Sequence, residues 1–367
     1  LSGADLIHVV TPDDISRSRK RLGRLLIRGS FLLLVGVVLA QALNALGVLD
    51  LGFRNWQPTL FAWIFWCVSL CVGQVLIRGE QGKRILFVLP AALFVVSLTV
   101  IPLLLGVAIA FSDWNLSSPR GPTFAGLGNI ERMLSDPFYW NALTNMVWYT
   151  LAVLVEYAIA FGLALLLSSQ IRARRFFRVA FLLPLMLSPV AVSWMIGKSM
   201  LEFRFGPVSQ LARALGWDQP AFFASADLAR ITMSVLDAWI FIPFMMIMLL
   251  AGLQAMPTEV IEAARVDGAS AWQTFRKVIF PLMLPVSLTA IIVRIIFKLK
   301  LADIVINITA GGPGGATDTV TSFIFREYRD RSNVGYGTLL AIFYLIIIII
   351  GLTALIRGLG RWMRPYS

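Results

Sequence analysis

The sequence predicts an all-α polytopic membrane protein: eight transmembrane helices, both termini inside (N-in and C-in), and a short cytoplasmic helix-turn-helix between the sixth and seventh spans. Three observations carry this. Of the 367 residues, 58% are hydrophobic and only 14% charged, with a mean hydropathy of +0.79, outside the range of soluble domains. Apolar runs of about 20 residues, enough to cross a bilayer, recur along the chain. Basic residues collect in alternate loops, which sets orientation.

The spans are expected near 30–49, 58–77, 85–111, 141–168, 179–200, 229–253, 282–306 and 336–357. Residues 1–29 form a basic arm, whose Thr11-Pro12-Asp13-Asp14 has the cap, proline and acids of a helix start that runs on into span 1. Residues 30–84 hold spans 1 and 2, a two-helix hairpin, and 85–365 hold the other six spans. Arg17 to Arg28, then Arg78/Lys83/Arg84, Arg172 to Arg178, Arg265/Arg276/Lys277 and Arg357/Arg361/Arg364 fall on one side under this topology. The net charge of +12 is therefore topological, and no nucleic-acid partner is implied. Outer loops near 112–140, 201–228 and 307–335 are large enough to form a rim but not a domain.

The segment 255–281 is a polar island between two apolar runs. Thr258 is expected as an N-cap with Glu259 in the first turn, Gly268 as the C-terminal stop, and Ser270 with Gln273 as a capping box opening a second helix. Enzymatic chemistry finds little support. His8 is the lone histidine, and Cys67 and Cys71 share a helix face that cannot close a disulfide. No G-x-x-x-x-G-K-[ST] loop is present; Gly79-Glu80-Gln81-Gly82-Lys83-Arg84 has the wrong spacing. The chain itself thus holds no catalytic, metal or cofactor-binding residues.

Glu262-Ala263-Ala264, Gly268 after three intervening residues, and a Val278-x-Phe280-Pro281 ending resemble the coupling loop of ABC importer permeases. Leu249 to Pro257 before it and Thr309-Ala310-Gly311-Gly312-Pro313-Gly314 after it resemble the maltose-type, carbohydrate branch, over roughly 85–365. The usual Ile and Leu of the ending are Val278 and Phe280 here. The resemblance implies a permease subunit that forms half of an import pathway for a sugar, polyol or related solute. It implies two separate ATPase subunits binding ATP and Mg, a second permease that is a different homologous chain, an extracytoplasmic solute-binding protein, and a bacterial or archaeal cytoplasmic membrane with its lipid as setting. Coupling falls on Glu262, Ala263, Ala264, Arg265, Asp267, Gly268 and Pro281.

Ionisable residues within spans mark interiors or pathways; here they are Glu156, Lys198, Asp237, Arg294, Lys298 and Lys300. Pro184, Pro189 and Pro243 mark places where helices bend or open. By the same resemblance the solute pathway involves Leu185, Pro189, Asp237, Trp239, Phe244, Lys298, Lys300 and Leu301, with Trp239 offering a ring face to a sugar. Asp237 and Lys298 are charged where maltose permeases carry amides, which points away from maltose itself. Two readings stay open for them: contact with a polyol or anionic sugar, or a bridge in which Asp237 pairs with Lys298 or Arg294. Lys198 and Arg294 are expected to snorkel to an interface. The alternative function is an ion-coupled secondary transporter using Glu156 and Asp237, which leaves the Glu262 segment without a purpose.

Overall fold

The computed structural model describes residues 16–45, 55–119, 121–169, 172 and 174–363. The Thr11 to Asp14 helix start lies outside them. The chain divides into two compact units, residues up to 105 and residues from 106 on.

In the first unit, α1 (Arg17–Ala45) runs unbroken, so basic arm and first span are one helix, as expected. It packs along α2 (Gln57–Arg78). Ring contacts of Phe31 with Trp66 and close approaches of Gly23 to Gly73 and Ile77 make the pair antiparallel. After α3 (Glu80–Leu86), α4 (Leu89–Val95) continues through a π-helical turn into α5 (Ile101–Ala110). The Trp63 indole N–H donates to Ser97 Oγ at 2.7 Å, fastening α2 to that turn.

In the second unit a minimal hairpin, β1 (Ser112–Asp113) with β2 (Thr123–Phe124), leads to α6 (Gly128–Ser135). Then comes α7 (Pro137–Ser168), the central helix. Its buried positions Tyr139, Ala142, Met146, Tyr149, Val153, Ala160, Ala164 and Leu167 recur every three or four residues, a continuous stripe. Asn145 and Glu156 are polar members of that stripe. The rest of the unit comprises α8 (Arg174–Met186), α9 (Pro189–Val192) with a π-helical extension to Met200, α10 (Pro207–Ala214) and α11 (Ala226–Ala255). Next are α12 (Thr258–Val266), α13 (Ala271–Thr274), α14 (Phe280–Leu299), α15 (Asp303–Ile308), α16 (Val320–Arg329) and α17 (Val334–Met363). One core joins α7 with α11 and α14 around Phe161, Met245, Met246, Leu249 and Met283; another joins α7 with α16 and α17 around Tyr139, Phe323 and Tyr336.

Among the described residues seven helices are long and apolar enough to cross a membrane, or eight with one bent pair. That pair corrects the fifth expected span. Residues 179–200 are not one rod: α8 and the helix from Pro189 meet at 92°. Leu187 and Ser188 lie between them, because a residue before proline is driven out of the helical region; Ser188 has ψ 135°. Pro184, by contrast, sits inside α8, and α11 continues through Pro243 as one helix. The seventh span, whose apolar segment runs on to Ile308, is interrupted. α14 stops at Leu299, and Lys300 to Ala302 form a break before α15.

Asp136 starts α7. Its Oδ1 accepts from the backbone N–H of Phe138 at 3.0 Å and Tyr139 at 3.4 Å, and its Oδ2 accepts from the Tyr336 hydroxyl at 2.7 Å. Asp136→Ala removes a helix cap and leaves a tyrosine hydroxyl without its partner. It is expected to cost about 1–2 kcal/mol in thermal or denaturant unfolding of the purified protein, with Asp136→Asn retaining most of the stability.

Candidate functional site

Arg294 and Lys298 lie four residues apart on α14, one turn of the same face, where like charges repel. Both are fully buried, and two acids from other helices alternate with them. Arg294 Nε donates to Glu156 Oε2 at 2.6 Å and its Nη2 to Asp237 Oδ2; Lys298 Nζ donates to Glu156 Oε1 at 2.9 Å and to Asp237 Oδ2. Each acid thus bridges both cations. The cluster is neutral overall and ties α7, α11 and α14 together at one depth. Isolated ions in such surroundings are prohibitive, and alternation is what makes four of them tolerable. The Arg294 guanidinium also lies 4.4 Å above the Phe241 ring, while its Nη1 has no hydrogen-bond partner among the described residues.

Of the two readings of Asp237 and Lys298, the structure therefore takes the bridge, with Glu156 as its second acid. Arg294 does not snorkel; it is buried completely. Lys198 does lie on the surface, 4.4 Å over the Trp194 ring. Glu156 and Asp237 are both held by cations.

A cavity of about 210 Å³ opens beside the cluster where helices stop. Pro189, Asp237, Lys300 and Leu301 line it together with Phe241 and Asp303. Four of the residues expected on a solute path are thus brought to one place. Lys298 stands behind the Asp237 wall through its ion pair. Trp239, two residues from Asp237, faces another side of α11 and lines an apolar groove with Trp148 and Glu156. Phe244 packs on Phe297, whose ring borders the cavity, and Leu185 is half-buried on α8. Phe241 and Phe297 carry no signal in the sequence, whereas Asp303 stands with Lys298 and Lys300 among the ionisable residues of span 7 before the glycine-rich stretch. The signal for Asp303 was the polar run after Leu299 within an apolar span.

The glycine-rich loop after α15 is held on the cluster's helices. Asn141 and Asn145 of α7 both donate to the Gly315 carbonyl, at 2.7 and 3.1 Å, and Asn145 also to that of Asp318. Arg230 of α11 donates to the Ala316 carbonyl at 2.9 Å. Burial pushes the Asp318 carboxyl above the usual carboxylate range, and its ion pair with Arg326 pulls it partly back.

At the other end of α11 the helix-turn-helix is exposed. No residue of α12 is buried; Glu262, Ala263, Arg265, Asp267 and Gly268 are open and Ala264 half-buried. Pro257, not Thr258, occupies the N-cap, and Thr258 makes no side-chain cap; the proline ends α11 and its fixed φ of -59° already sets the turn. The stop is as expected. Gly268 has φ +77°, Gly268 N–H donates to the Arg265 carbonyl and Ala269 N–H to that of Ala264, both at 3.0 Å. The Ser270–Gln273 capping box is formed on both sides, at 3.3 and 2.8 Å. Beyond it Phe275 and Phe280 pack on Phe161 of α7, and Pro281 lies in the first turn of α14.

The model of one family, described as "Binding-protein-dependent transport system inner membrane component", matches residues 157–365, more than half of the chain. The chain belongs to that family. It is a multi-pass inner-membrane permease component of a binding-protein-dependent ABC import system, which sets aside ion-coupled transport. It is 31% identical over 72% of its length to the sulfoquinovosyl glycerol transport system permease protein SmoG of Agrobacterium fabrum, covering 86% of that protein. It is 29% identical over 78% of its length to the trehalose/maltose transport system permease protein MalF of Thermococcus litoralis, covering 96% of that protein. A crystal structure of a bacterial alginate ABC transporter, in complex with alginate pentasaccharide-bound periplasmic protein, superposes with a TM-score of 0.65. Identity to that chain is 18%, with 85% of this chain and 98% of that one covered, a likeness of fold.

Removing one cation of the permease's cluster leaves two buried acids facing one partner. Arg294→Met is expected to cost about 3–5 kcal/mol, and Arg294→Met combined with Glu156→Gln distinctly less than the two single changes added. A double-mutant cycle on thermal unfolding reads the difference.

Proposed function

We propose that this permease forms half of the membrane pathway for a sugar, polyol or related carbohydrate and transmits work from separate ATPase subunits through α12 and α13. The observation that carries the reading is the exposed, doubly capped helix-turn-helix. A surface helix with no buried residue adds little to the core of this chain, yet a left-handed glycine stops its C-terminal end and a capping box opens the helix that follows. Such a helix is built to be gripped. Val266 and Trp272, 87% and 66% exposed, supply apolar contact, and Glu262 and Arg265 supply charge on either side. The orientation that fits puts this end, with both chain termini, in the cytoplasm. There two ATPase subunits binding ATP and Mg engage it.

The solute reading rests on the cavity beside the ion cluster and on the transport systems for which the relatives are named. At about 210 Å³ it is below the roughly 300–1,000 Å³ of complete ligand sites. A second permease, a different homologous chain, supplies the other wall. Lys300 and Asp303 carry the hydrogen bonds to solute hydroxyls, the Phe241 and Phe297 rings the apolar contact, and Asp237 a fixed acceptor whose charge is already balanced. An extracytoplasmic solute-binding protein docks on the rim that includes the pinned loop 309–319. Docking and ATP binding each bias one inward–outward equilibrium.

Two measurements on the reconstituted complex test this. Glu262→Arg or Gly268→Val is expected to abolish solute-stimulated ATP hydrolysis while the permease still inserts; undiminished stimulation removes the coupling claim. Lys300→Ala with Asp303→Ala is expected to raise the solute concentration for half-maximal transport about tenfold or more, with the ATPase rate at saturating solute little changed.

A further inference from the structure

The helices α1 to α3 lie outside the segment matched by the family, residues 157–365, and their most unusual property is a positive charge that a single acid among their described residues offsets only in part. Arg17, Arg21, Arg24 and Arg28 recur at steps of four, three and four, one stripe of α1. Lys20 borders the stripe. Close backbone packing brings more cations to the same end. A Cβ on Gly23 would lie 2.9 Å from the Gly73 carbonyl oxygen and 2.8 Å from Ile77, so the basic turns of α1 lie beside the last turn of α2, which ends at Arg78. A Cβ on Gly82 would lie 2.7 Å from Val75 Cα, so α3 folds back on α2 and carries Lys83 and Arg84 there too. Among the described residues of 16–105 the only acid is Glu80, and it pairs with Lys83 at 2.5 Å.

Cations at helical spacing repel and draw an external anion. The surroundings say which kind. Arg17, Lys20, Arg21 and Arg24 line a surface hollow of about 520 Å³ together with Leu22 and Leu25. Those leucines are 59% and 62% exposed, and α1 passes without a break from Arg28 to the exposed Phe31, Leu32 and Leu33. Phe87, 89% exposed, follows α3 at the same end. Phosphate-binding groups thus merge directly into an acyl-chain surface, an arrangement a water-soluble anion does not use.

We propose that this end of the hairpin binds the headgroup phosphate of an anionic phospholipid of the membrane that it crosses. The arginine stripe holds the phosphate by charge-assisted hydrogen bonds, and Leu22, Leu25 and Phe87 lie along the acyl chains.

The test uses the full chain in mild detergent, with phosphatidylglycerol, cardiolipin, phosphatidylcholine and inorganic phosphate as probes. Native mass spectrometry counts retained lipid, and thermal unfolding reads the stabilisation. Phosphatidylglycerol or cardiolipin is expected to be retained and to raise the unfolding midpoint, with phosphatidylcholine doing neither. Arg21→Gln with Arg24→Gln should weaken retention about thirtyfold, the effect of two basic residues at a charged surface. Arg21→Lys with Arg24→Lys should keep it, and Arg204→Gln with Arg329→Gln should leave it untouched. Equal retention of phosphatidylcholine, unchanged retention in the glutamine pair, or full displacement by inorganic phosphate overturns the proposal. If the glutamine pair does not insert, the wild-type chain decides. Lipid lost on raising salt supports the site, and lipid indifferent to salt overturns it.

Discussion

The ring of ion pairs joining Glu156, Asp237, Arg294 and Lys298 sets the register of three membrane helices. A hydrophobic face gives helices in lipid little reason to prefer one vertical offset over another, because lipid tails are as apolar as leucine. Four charges at one depth remove that freedom. Sliding α14 by a single turn, about 5.4 Å, would bring one cation to where the other had stood and leave the second without an acid in an apolar medium. The packing of Phe161, Met246, Leu249 and Met283 around α7, α11 and α14 follows from the register the charges impose.

The cavity owes its position to the same ring. It lies where α14 has run out, the helix from Pro189 begins and Asp237 turns its other face. The broken segment Lys300 to Ala302 leaves backbone that a continuous helix would have satisfied internally. Irregular backbone at membrane depth is tolerated where it borders a cavity or is buried in protein. Thr319 Oγ1, for instance, donates to the Leu301 carbonyl from the pinned loop. Loop, break and ion ring form one connected assembly, and α7 reaches the loop through Asn141 and Asn145 and the ring through Glu156.

Much of this was legible from the sequence because it depends on short-range chemistry. The Gly268 stop and the Ser270–Gln273 box need only residues within a few positions of each other. The membrane helices announce themselves by composition. Thr258 failed as a cap because Pro257 beside it already fixed the backbone. The fifth span breaks at Pro189, one of the three prolines marked as bends, because Ser188 before it must leave the helix; an apolar run does not reveal that the two halves meet at 92°. The ion ring was half visible. Asp237 was paired in prospect with Lys298 or Arg294, but Glu156 lies more than 130 positions from its partners, and no local rule connects a lone acid on α7 to α14. The cavity residue Phe241 was hidden for the same reason.

The ring also bears on how such a permease can diversify. A lineage that alters any one of the four charged positions passes through a chain with an unbalanced ion in its interior, so inherited change there must arrive as compensating pairs and will be slow. Lys300 and Asp303 stand just outside the ring, exposed and bound to no ring member. They can drift singly. Descendants of this chain can therefore acquire new cargo preferences at the edge of the cavity while the inherited framework behind it stays as it is.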